Sequence, residues 1–151
     1  MKLNFCKIIC IYILPLFIIS CNNKCEVDNI EVSELLGTVA KEKSIDYCEL
    51  LKVALTGDKN AIKTLSLLEF DNAVGYDHGA VIVSLITAIG ETEYIKAIST
   101  TNREQKNLIH SYIDVGLEYG NNPLIKEKDF KNTFPKLYTA KIGRASCRER
   151  V

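Results

Sequence analysis

Arginine is nearly missing from this chain. Four occur in 151 residues, and three of them, Arg144, Arg148 and Arg150, fall within residues 142–151, leaving Arg103 alone in the remainder. Histidine is scarcer still, with His78 and His110 the two present, so few side chains titrate near neutral pH. The chain has no P-loop, dinucleotide-binding glycine pattern, H-E-x-x-H, nucleophile elbow or C-x-x-C, which removes the enzyme classes those motifs carry. Clustered Lys and Arg are also wanting. Taking Lys2, Lys7, Arg144, Arg148 and Arg150 from the 19 basic residues and Glu149 from the 19 acidic ones leaves 14 and 18, a net charge of −4 for residues 21–141. Nucleic-acid binding needs the opposite balance.

The N-terminus is richer in signal. Met1 to Lys7 is short and basic, Ile8 to Ile19 is apolar, and Ser20-Cys21 closes the run. A charged start, about a dozen apolar residues and a small residue before a cut are the marks of a secretory signal. Pro15 inside the run argues against a permanent membrane helix. Ile18-Ile19-Ser20-Cys21 resembles the lipobox of bacterial lipoproteins. The resemblance covers residues 1–21. It implies cleavage after a signal peptide of residues 1–20, lipid on the Cys21 thiol, and acyl-chain anchoring in a Gram-negative envelope, facing the periplasm or the cell surface. Two or more acyl chains hold a protein firmly on a membrane. Asn22, rather than Asp, follows the lipidated position, which favours the outer over the inner membrane.

At the other end, residues 142–151 are similar to a translated sequencing-adapter read-through and are expected to be foreign to the protein, with the native frame cut near Lys141. That leaves residues 21–43 as lipidated cysteine, tether and a short first helix, and residues 44–141 as a helical domain. Cys25 and Cys48 are the cysteines left in an oxidising compartment. They are expected either to pair as a disulfide or, for Cys48, to serve as a buried apolar side chain. Two thiols fall short of a structural zinc site, and no cofactor is indicated.

The stretch Gly79 to Gly90 is apolar apart from Ser84 and Thr87. An all-round apolar helix belongs in a core, and at about 1.5 Å per residue this one is too short to cross a bilayer. The spacing of Tyr47, Leu50, Leu51, Ala54 and Leu55 predicts an amphipathic helix closed by Gly57. Asp58 is expected to cap the next, with Ala61, Ile62, Leu65 and Leu68 on one face. Glu69 to Asp77 reads as a loop, with Asp77 capping the central helix and His78 in its exposed first turn. Gly90 is expected to close that helix and open another through Ile98. Thr101-Asn102-Arg103-Glu104 reads as a capping box for a helix whose inner face holds Leu108, Ile109, Tyr112, Ile113 and Gly116. Gly120 ends it, and Pro123 suits the first turn of one more.

Three segments share the pattern G-x-x-x-x-I-K, starting at Gly57, Gly90 and Gly120 and spaced 33 and 30 residues apart. Helical hairpins at such a period suggest α-solenoid repeats, and the layout resembles HEAT or armadillo repeats over residues 45–135. The fold class is all-α, either hairpins stacked as a short HEAT-like solenoid or an irregular helical bundle.

Lys63, Lys96 and Lys126 fall at the same place in each unit. In a regular stack they would form a basic ridge for an acidic partner; three solvated lysines explain the pattern as well. The expected function is a membrane-anchored module that binds a protein partner, with an immunity-type protein as one form. The alternative is an envelope hydrolase using Tyr76, Asp77 and His78, since an Asp beside a His orients an imidazole for base catalysis. His110 and Asp114 are i, i+4 and make half a metal site, but with Lys106 and Glu118 they also read as a solvated stripe.

Overall fold

The computed structural model describes residues 25–126 and 128–140. The proposed signal, the Cys21 lipidation site and residues 142–151 lie outside them. The chain is all-α and forms an irregular helical bundle with one small hairpin. The hairpin pairs β1 (Cys25–Val27) antiparallel with β2 (Ile30–Val32), Val27 opposite Ile30. Asp28 and Asn29 between them have φ of 49° and 64°, the two left-handed residues that let a tight turn follow strand twist. Ile30 and Val32 point into the core while Glu26 and Glu31 point out. This segment, read as a tether, is thus part of the body. Its alternating Glu26-Val27 and Ile30-Glu31-Val32 around an Asp-Asn pair was the available signal.

Next, α1 (Glu34–Glu42) is capped by Ser33, whose Oγ accepts from the Leu36 N–H at 3.1 Å. Then α2 (Tyr47–Leu55) starts on Asp46 and α3 (Lys59–Ser66) on Asp58, each carboxylate taking a backbone N–H of the first turn. Gly57 between them has φ 86°, the left-handed turn that ends a helix most cheaply with glycine.

The central helix α4 (Asn72–Ile89) begins earlier than the expected start after an Asp77 cap. Asp71, not Asp77, occupies its N-cap position. Gly75, which falls in the segment expected to be a loop, lies inside the helix, and both it and Gly79 are points of close approach. A Cβ on Gly75 would sit 2.9 Å from the Phe70 carbonyl oxygen, and one on Gly79 2.5 Å from that of Tyr112. Gly90, with φ 83°, turns the chain by 114° into α5 (Glu91–Ala97). Among the described residues no single helix is long and apolar enough to cross a membrane; Val81, Ile82, Val83, Leu85 and Ile86 are all core residues.

The capping box of α6 (Arg103–Tyr119) is one residue later than expected. Asn102 Oδ1 accepts from the Gln105 N–H at 2.9 Å and Gln105 Oε1 from the Asn102 N–H at 3.0 Å. Thr101 is buried and bonds back to the Ile98 carbonyl instead. The helix expected at Pro123 does not form. Asn122 Oδ1 accepts from the Leu124 N–H at 3.0 Å, a local side-chain bond that competes with helix, and Asn122 also donates to Ser84 Oγ at 3.2 Å. The third repeat unit is therefore a loop, and the architecture is a bundle rather than three equivalent hairpins. Two short helices, α7 (Phe130–Thr133) and α8 (Pro135–Thr139), follow. The Glu91 carboxylate accepts from the Leu137 N–H at 2.8 Å, which ties α8 to α5. The buried Tyr94 hydroxyl meets Ser66 Oγ at 2.7 Å, joining α5 to α3.

Candidate protein-binding face

Tyr76, Asp77 and His78 are consecutive on α4, so helical geometry sends their side chains about 100° apart. His78 is 0% exposed, the opposite of an exposed first turn. Its Nδ1 lies 2.6 Å from the Tyr47 hydroxyl, and the rings of Tyr112 and Phe70 pack against it at 4.6 and 5.1 Å between centroids. Burial lowers the imidazole pKa to about 3, so the ring is neutral at physiological pH. Burial, then the Tyr112 phenol, pushes the Tyr47 hydroxyl well above its ordinary value. The neutral phenol and neutral imidazole share this one hydrogen bond, its direction set by the ring tautomer, and Nε2 has no partner among the described residues. Lys43 closes the box: its Nζ donates to the Glu69 carbonyl at 2.7 Å and sits 5.1 Å from the Phe70 ring centre. A buried, neutral imidazole in an aromatic box is a core element, not a general base.

Asp77 accepts a hydrogen bond from Ser33 Oγ and so ties α4 to the start of α1. Tyr76 points outward, 48% exposed, and stacks on the 57% exposed Tyr119 of α6, ring centres 5.0 Å apart and planes 24° from parallel. The three residues thus leave in three directions and form no catalytic set. Tyr119 falls outside the inward spacing of α6, and an aromatic residue just before the Gly120 helix end is the signal the sequence carries for it.

His110 Nδ1 is 3.1 Å from Asp114 Oδ2, but its side chain is only 14% exposed and its ring packs edge-on against Phe130 at 4.9 Å. The solvated stripe is broken there, because α7 covers it. No group of three or more His, Cys, Asp or Glu able to hold a metal ion occurs among the described residues.

The lysines behave individually. Lys63 on α3 donates to Thr100 Oγ1 at 2.8 Å and Lys96 on α5 to Glu93 at 2.7 Å. Lys126 is exposed in the loop after α6. Three equivalent projections do not exist, since only two of the units are helical.

Cys25 and Cys48 are joined by a disulfide with Cα atoms 6.1 Å apart, fastening β1 to the first turn of α2. Beside it runs a groove of about 840 Å³ between α1 and the segment leading into α2. Glu31, Glu34, Gly37, Lys41 and Asp46 line it along with both cysteines. Ser33 also lines the groove, so the Ser33–Asp77 bond connects its wall to α4 one residue from Tyr76. Comparison with protein-family models, curated proteins and solved structures finds no match.

Proposed function

We propose that the protein is a bacterial lipoprotein, anchored through lipid on Cys21, whose helical body binds a protein partner at the envelope. The observation that carries the binding reading is the Tyr76–Tyr119 stack. Tyrosine presents large contact area at low entropic cost and is enriched at interface hot spots. Here two rings from two helices are exposed together on a frame fixed by the α4–α6 contact. The divergence of Tyr76, Asp77 and His78 removes the support for the hydrolase alternative. An acidic partner attracted to Lys63, Lys96 and Lys126 loses its geometric basis with the third repeat.

The test is photo-crosslinking in intact cells, with a crosslinking residue placed at Ala73 beside the stack. A discrete crosslinked species that disappears in Tyr76→Ala/Tyr119→Ala, while protein level is unchanged, supports the reading. The same species in both backgrounds sinks it. The anchor is tested separately: Cys21→Ser should abolish lipid labelling and release the protein from the membrane fraction, and unaltered labelling refutes it.

A further inference from the structure

Gly37 is a glycine the fold does not need. It sits inside α1, where glycine costs helix stability relative to alanine. Its φ is not in the left-handed region, and a Cβ there would meet nothing within 4 Å among the described residues. The contrast with Gly75, Gly79 and Gly116, each pressed against backbone, is direct. Gly37 also lines the groove. A bare backbone inside a groove, without a packing or conformational reason, lets something outside the fold approach closely.

The charges around it indicate what that is. The groove carries the carboxylates of Glu34 and Asp46 against the ammonium of Lys41. Asp46 Oδ1 accepts the Glu49 N–H, yet its charge stays at the groove edge. A volume of about 840 Å³ is within the range of sites that take up a ligand. The groove's lining residues Glu34, Gly37 and Lys41 fall at i, i+3 and i+7 on one face of α1, a spacing that suits an extended chain better than a compact molecule.

We propose that this groove binds an extended, lysine- or arginine-bearing peptide segment of the partner, its chain crossing α1 over Gly37 and its cationic side chains meeting Glu34 and Asp46. This deepens the protein-binding reading and rests on it. Complementary charge of this kind steers encounter and weakens with salt.

The experiment titrates the full-length chain in detergent with a fluorescent hexapeptide alternating lysine and glycine, against the matching glutamate–glycine peptide. Saturable binding of the lysine peptide only is expected, weakened roughly tenfold by Glu34→Lys and by Gly37→Leu, which fills the groove. Gly37→Ala should raise the melting temperature by roughly 4 °C and still weaken binding, so lost binding is not lost fold. Equal binding by wild type and Gly37→Leu, or none by wild type, overturns the proposal. Equal competition by spermine at matched charge makes the groove a small-polycation site and also overturns it. The crosslink at the tyrosine stack is read independently, so a groove that fails leaves that result standing.

Discussion

Gly79 of α4 and Gly116 of α6 meet backbone to backbone: a Cβ on Gly116 would lie 2.1 Å from the Gly79 carbonyl oxygen. The central helix pair is close because both residues lack a side chain, and this contact sets where Tyr76 and Tyr119 stand.

Gly79→Ala or Gly116→Ala should therefore destabilise the fold by about 3 kcal/mol, the upper range for overpacking, because the obstacle is main chain and cannot swing aside. Urea unfolding measures it. A midpoint as high as wild type for either variant would show that the helices separate at little cost.

His78 makes stability depend on pH. Its folded pKa, about 3, lies below the ordinary value of about 6.5, so between these the unfolded chain binds more protons. Stability from this group is full above about pH 6.5 and falls as pH drops toward 3, by up to about 1.4 kcal/mol per unit. Urea midpoints at pH 4.5 and 7 should diverge less in Tyr47→Phe/His78→Phe, which removes both polar partners together. An unchanged pH dependence in the double variant would assign it to other groups.

Opening the disulfide with Cys25→Ser/Cys48→Ser should cost about 3 kcal/mol, as expected for a closed loop of this length, with a sequence separation of 23. Equal thermal midpoints for this variant and the wild type would contradict that.

Asn102→Ala should cost about 1 kcal/mol through loss of the α6 cap, whereas Glu104→Ala should change stability by under about 0.5 kcal/mol. Reversal of that order in thermal melts would restore the earlier register, with Thr101 as the cap.

The helices were legible wherever an apolar face and a cap coincided. Asp46 and Asp58 start α2 and α3 by their side chains, and Gly57 and Gly90 take the left-handed turns their positions demand. The errors came from residues with two uses. Glycine breaks helices and also lets them touch, and nothing local distinguishes Gly57 from Gly79. Repetition misled at Gly120, where Asn122 supplies a competing bond that the shared Ile and Lys do not encode. Of the candidate face, Tyr76 was legible only in the wrong role, and Tyr119 and Gly37 were not. A stack between α4 and α6, and a glycine whose added Cβ would meet none of the described residues, are facts of assembly rather than of spacing.

The Cys25–Cys48 bond also changes how the molecule would carry load. A pull on the chain ahead of Cys25 has a covalent route through sulfur into the first turn of α2, so residues 26–47, including the hairpin, α1 and the groove, lie on a slack branch. Tension reaching the bundle would be borne by α2 and the contacts behind it, while the groove kept its shape. Reduction would put that branch in series with the pull, and the two weak strands of the hairpin would be the first to part.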